Sequence, residues 1–282
     1  MKVKIFFLIT AMLSAAFAKG QMTYAGISMA YGAGWPAYSL GSSVTTSPSG
    51  TKTYTLKKGS FGQGLHFGIT TGYMFSKNAG IDLGVSYLIG SKKEFNTSVI
   101  TVDTSTATST DSEGTVNFDK IKMIQLNPAL KVTMGEEVRP YVRLGIILGL
   151  STSYSKIEQG TTIISGNISD TTSTEIVTEY SGSAAFGFNY AAGVDIDLVD
   201  NLVLFGELTF RSMSWAPSKS KITRYFVNGI DLAPTAPPGS LETEYVDDYS
   251  QSVSGSSNRA LKTYLPFSSL GFSAGVVFTF GE

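Results

Sequence analysis

From about residue 22 onward the chain keeps a strict two-residue rhythm. Large apolar side chains occupy one parity, and glycine or small polar side chains occupy the other. Eight segments carry the rhythm, each long enough to cross a bilayer as a tilted strand of roughly 9–11 residues. In the first, Ala25, Ile27, Met29 and Tyr31 alternate with Gly26, Ser28, Ala30 and Gly32. In the second, residues 61–76, Leu65, Phe67, Ile69, Tyr73 and Phe75 oppose Gly64, His66, Gly68, Thr70 and Gly72. The other six set Ile81–Leu83–Val85 against Asp82, Ile124–Leu126 against Lys131, Leu144–Ile146 against Arg143, Phe188–Tyr190 against Asp195, Leu204–Leu208 against Glu207 and Arg211, and Phe272–Phe278 against Ser273 and Gly275. A soluble sandwich also alternates, but its second face carries Lys and Glu freely. Here that face is glycine-rich, and charged residues are only 15% of the chain. A narrow barrel lumen requires such small filling, and lipid contact requires the opposite face.

No stretch after the N-terminus approaches 18 uninterrupted apolar residues, so a membrane can be entered only as a closed barrel. The N-terminus itself reads Met1-Lys2-Val3-Lys4, an apolar run from Ile5 to Leu13, then Ala16-Phe17-Ala18. That is the pattern of a secretory signal peptide cleaved near Ala18, too short to serve as an anchor. The expected organisation is therefore a signal peptide over 1–18 and one barrel domain over 19–282.

The connections alternate in length. Lys77-Asn78, Gly135-Glu136-Glu137-Val138 and Asp200-Asn201 are tight turns, whereas residues 36–60, 95–119, 156–182 and 216–261 are long and rich in Ser, Thr and Gly. All short turns then lie at one end and all long loops at the other, as in bacterial outer-membrane barrels with periplasmic turns and extracellular loops. The fold class is all-β: an eight-stranded antiparallel up-and-down transmembrane β-barrel with four long extracellular loops. Ten strands is the alternative, if a loop hides another membrane-crossing hairpin. The alternation persisting in 96–101 and 174–180 predicts that strands two to six rise above the membrane as hairpins.

On these features the chain resembles the small OmpA/OmpX-type and opacity-type outer-membrane barrels. The last strand, Gly271-Phe272-Ser273-Ala274-Gly275-Val276-Val277-Phe278-Thr279-Phe280, contributes to the resemblance. In that family a terminal aromatic strand is read by the barrel-assembly machinery; here Gly281 and Glu282 follow Phe280. The resemblance implies outer-membrane localisation and a lipid bilayer with lipopolysaccharide as surroundings. It implies extracellular ligands through the loops, and no single activity.

Composition excludes several classes. A formal net charge of −1 is not that of a nucleic-acid binder. With no Cys and one His, thiolate metal sites, cysteine nucleophiles and multi-histidine zinc sites are excluded, and neither a metal nor a cofactor is expected. His66 faces inward, the wrong parity for a lipid-facing catalytic base, and hydrogen bonding inside the bore is the expected role. Gly62-Gln63-Gly64-Leu65-His66-Phe67-Gly68 has the wrong spacing for a dinucleotide loop, and no helix follows. No catalytic residues are assigned.

The candidate site is a lumen charge network. Asp82, Lys131, Arg143, Asp195 and Glu207 all point inward near their short turns, and Arg211, one step of alternation higher, is placed to join Glu207. Read one way it is a salt-bridged structural plug, because buried charges must be paired. Read the other way it is the gate of a narrow, porin-like channel. Trp35, Phe61, Tyr154, Phe186, Trp215 and Phe267 near the loop ends, with Tyr73, Phe75, Phe278 and Phe280 near the turn ends, suggest two interfacial aromatic belts. Trp215 falls on the inward parity and fits its belt only if a bulge shifts it. The functional expectation is a structural or surface-interaction role without catalysis, with the channel as alternative. The acids Glu242, Glu244, Asp247 and Asp248 of the last loop read as a solvated acidic stretch.

Overall fold

The computed structural model describes residues 22–35, 38–46, 51–103, 108–119, 121–165, 170–237, 239–248 and 258–280. Residues 1–18, which carry the expected signal peptide, and Gly281-Glu282 lie outside the described residues. Strand β1 (Thr23–Gly34) runs toward the loop end and is followed by a separate hairpin of β2 (Tyr38–Thr46) and β3 (Lys52–Gly59). Next, β4 (Gly64–Met74) descends, β5 (Ala79–Gly90) climbs, and a hairpin of β6 (Lys93–Asp103) and β7 (Thr108–Phe118) follows. Then β8 (Lys122–Thr133) descends and β9 (Val138–Ser165) climbs for 28 residues, with β10 (Asp170–Gly182) returning beside its upper half. After β11 (Ala185–Val199) and β12 (Leu202–Trp215), the last connection holds β13 (Pro217–Val227), β14 (Ile230–Asp231), a 3-10 turn at Ala233–Thr235, β15 (Glu242–Val246), β16 (Arg259–Leu261) and β17 (Leu265–Pro266). The final strand is β18 (Ser269–Phe280).

Eight of these strands close a ring. β1 pairs antiparallel with β4 and β18, and the ladder continues through β5, β8, β9, β11 and β12 back to β18. Closure leaves no strand edge, so every spanning backbone group can be satisfied without water. The ten-strand alternative is thereby excluded. Pro128, which has no N–H to donate, lies inside β8, between the pairs Leu126↔Leu148 and Ala129↔Gly145.

The two parities separate as lipid contact demands. Ile69 is 66% exposed and Leu144 53%, while inward-facing Glu207 is 3% exposed. Such a continuous apolar surface would be untenable in water. The inward glycines make room for large groups. A Cβ on Gly72 would collide with the Tyr24 ring, and one on Gly193 would sit 2.6 Å from Glu207 Cβ and 2.8 Å from the Tyr141 hydroxyl.

Above the ring the last three long connections merge into one sheet, while the β2–β3 hairpin of the first stays a separate two-stranded sheet. The upper half of β9 pairs with both β7 and β10, β13 adds to β10, and β15 and β16 follow. The expected hairpins are present in β6–β7 and β9–β10, and edges left open by one are paired by the next.

Candidate functional site: the lumen

The inward parity brings five of the six predicted charges together near the turn end. Lys131 Nζ donates to Asp195 Oδ2 at 2.7 Å. Arg143 Nη1 reaches Asp82 Oδ2 at 3.4 Å, and its Nη2 donates to Glu207. Two tyrosines that carried no expected role complete the layer. Tyr24 donates its hydroxyl to Asp82, and Tyr141 donates to Glu207 Oε2 at 2.8 Å. Lys131 also lies over the Tyr141 ring, 4.2 Å from its centroid. Both tyrosines sit on the inward parity, so their position was visible in the alternation. Their pairing was not, because cross-strand register decides which hydroxyl meets which acid. The cavity left at this level is about 20 Å³, room for about one water. Toward the turns it opens into a vestibule of about 560 Å³ floored by Lys131 and Asp195.

At the rim of that vestibule the turns are tied together. Arg139 makes a two-pronged contact with Asp197, at 2.8 and 2.5 Å. Lys77 in one turn donates to Glu136 in the next at 2.9 Å, and holds that carboxyl below the usual glutamate range.

Arg211 does not join Glu207 as expected. Both Glu207 oxygens are already taken, by Arg143 and Tyr141, and Arg211 makes no ion pair among the described residues. It stands a step higher, in register with Asn189 and Ser269, with Nε and Nη1 unpartnered. His66 faces inward and is 2% exposed, with the Gln125 side chain and the Gly62 backbone beside it. The middle of the bore is thus lined by polar groups that the protein alone does not satisfy.

Above them the bore is closed by an apolar cluster, and here the expectation of a loop-side aromatic belt is corrected. Phe61, Tyr154, Trp215 and Phe267 are all buried inside the barrel mouth with Leu88, Met123 and Ile147. Phe61 lies 5.2 Å from Phe118 and 6.0 Å from Phe267 between ring centroids, and Tyr154 lies 5.8 Å from Trp215. The causes are local. Lys122 pairs with Ser153 but Ile124 with Leu150, so β9 carries one extra residue against β8. That bulge flips the phase, and Tyr154 points in although Leu150 points out. Phe61 and Phe267 precede their strands on segments that fold over the rim, bonded at Phe61 N to Pro266 O and Phe267 N to Met213 O, both 2.8 Å. Trp215 keeps its inward parity and donates Nε1 to Ser183 O at 2.8 Å. Trp35 and Phe186 remain outward and exposed, as do Phe75, Phe278 and Phe280 at the turn end.

Among the described residues no group of three or more His, Asp or Glu is arranged to hold a metal. Among solved structures the fold is similar to the outer membrane protein OprG from Pseudomonas aeruginosa, at 12% identity, covering 94% of this chain and 98% of that one, with a TM-score of 0.44. It is also similar to Ail, the attachment invasion locus protein of Yersinia pestis, in complex with the heparin analogue sucrose octasulfate, at 10% identity, 93% and 100% coverage and a TM-score of 0.32. Neisserial surface protein A matches at 11% identity, 93% and 98% coverage and a TM-score of 0.29. No match is found among curated protein sequences. The profile of the outer membrane protein β-barrel domain matches residues 5–215, three quarters of a chain whose strands close as described, and the chain belongs to that family of outer-membrane barrels.

Proposed function

We propose that this protein is a non-conducting, non-catalytic barrel that serves the outer membrane as a scaffold and engages extracellular ligands through the sheet raised above it. The observation that carries this reading is obstruction at two levels. The ion-paired layer leaves about 20 Å³, and the aromatic cluster fills the opposite mouth. A hydrated ion would have to break a buried network of ion pairs and then part a packed apolar lid. The six lumen charges act as a structural plug, with Arg211 balancing the surplus acid at a distance. Export by residues 1–18 and recognition of β18 by the assembly machinery belong to the same reading. Planar-bilayer recording of the purified protein tests it, with no steady conductance expected. A stable open state that changes in Arg143→Gln or Glu207→Gln would replace this reading with the narrow channel.

A further inference from the structure

We infer that Arg211 holds a small monovalent anion of chloride size in a chamber inside the bore, between the ion-paired layer and the apolar lid. The inference extends the closed-bore reading proposed above, and the test below separates the two.

The chamber follows from parity along one strand. On β12, Glu207, Thr209, Arg211, Met213 and Trp215 all face inward, rising from the ion-paired layer to the lid. Arg211 is the middle step of that series. Its neighbours across the ladder are Asn189 on β11 and Ser269 on β18, both uncharged. Arg211 keeps 9% of its surface accessible and Asn189 6%, although the bore is closed above and below them. That surface faces a space within the barrel, not bulk water.

The chamber is short of negative charge at contact distance. A guanidinium has five N–H donors and no acceptor, and Nε and Nη1 of Arg211 are buried without a partner. The bore's acids are engaged elsewhere. Glu207 stands four residues down β12, ~13 Å away at the backbone, with its oxygens taken by Arg143 and Tyr141. Asp82 is held by Tyr24 and Arg143, and Asp195 by Lys131. The surplus acid thus balances Arg211 only through space. A water molecule accepts from a free N–H but brings no charge to a cation beneath an apolar lid. An anion does both, through charge-assisted hydrogen bonds and a Coulomb attraction that is largest at contact. The Thr209 and Ser269 hydroxyls, both 2% exposed, rotate to donate to it. Asn189 Oδ1 is also unpartnered, and a half-turn of that amide presents its N–H groups to the same space. The two closures set the size. The lower layer leaves about 20 Å³ and the lid is packed, so the occupant is an atomic ion enclosed as the barrel folds.

The test uses the full mature chain refolded in sodium bromide, because a closed bore excludes a later soak. Crystals are measured at the bromine absorption edge. An anomalous peak beside the Arg211 guanidinium is expected in wild type and none in Arg211→Met. In urea unfolding, sodium chloride replaces sodium gluconate at constant ionic strength. The folded-to-unfolded ratio of wild type is expected to rise about tenfold per tenfold chloride above the dissociation constant, and that of Arg211→Met to stay within about twofold. Arg211→Met removes an unpaired buried charge and its folding is read from heat-modifiable mobility. Arg211→Lys keeps the charge and is expected to retain a weaker chloride dependence. Water alone at the guanidinium in bromide, or the same chloride dependence in wild type and Arg211→Met, would overturn the inference. Bilayer recording reads the closed bore separately. Steady conductance with the bromine peak present removes the closure and keeps the anion site, whereas a silent bore without the peak does the reverse.

Discussion

Removing Arg143 should unseat the lumen layer more than any other single change. Among the described residues its guanidinium is the one group that touches both Asp82 and Glu207, each with 3% side-chain exposure. In Arg143→Met the tyrosine hydroxyls of Tyr24 and Tyr141 still donate one hydrogen bond to each acid, but two buried carboxylates face each other without their shared cation. Breaking a buried pair by removing one partner costs about 3–5 kcal/mol. Lys131 is close by, over the rings of both tyrosines, and takes up part of the loss, so the lower end applies. About 3 kcal/mol is more than a hundredfold in the folded-to-unfolded ratio. Urea unfolding of the barrel in phosphatidylcholine vesicles, followed by heat-modifiable mobility and by Trp emission, measures it. A triple variant, Arg143→Met with Asp82→Asn and Glu207→Gln, removes the stranded charges together with their partner and should recover most of the loss. A single variant within about 1 kcal/mol of wild type, or a triple variant as weak as the single, would show that the layer is not held by charge pairing.

Trp215→Ala empties the largest buried side chain in the apolar lid and should cost about 3–5 kcal/mol in the same assay, with loss of a buried Trp signal. Because lid and ion-paired layer are obstructions in series, neither Trp215→Ala nor Arg143→Gln alone should conduct steadily, whereas the double variant should; a conducting single variant would locate the seal at one level. Gly193→Val places a side chain against Glu207 and the Tyr141 hydroxyl and should sharply lower the yield of heat-modifiable barrel on refolding; a normal yield would mean the layer is looser than its geometry indicates. Glu136 should titrate below the ordinary glutamate range, its tie to Lys77 present at neutral pH and lost as pH falls through that depressed value. Carbon NMR of the carboxyl in wild type and Lys77→Gln checks this, and an unshifted midpoint in both would refute the contact.

Alternation alone specifies an eight-strand barrel, the ends at which short and long connections gather, and the inward face of every charge in the lumen. Side-chain parity is a local property with a period of two, so a run such as Leu65 to Phe75 declares its two faces without reference to any partner. The three tight turns, Lys77-Asn78 among them, were equally legible, because a turn is written in a few adjacent residues. Parity says nothing about which residue lies opposite which. Tyr24 meeting Asp82, and Glu207 being saturated before Arg211 could reach it, are facts of register across strands 58 or more positions apart. Tyr154 shows the other way in which sequence runs out. One extra residue between β8 and β9 reverses its face, and only the pairing of two distant strands creates that bulge. The same holds for Phe61 and Phe267, whose inward turn depends on rim segments folding over a mouth that exists only after the ring has closed. Local chemistry thus sets what each strand can bury, and long-range register sets what it is buried against.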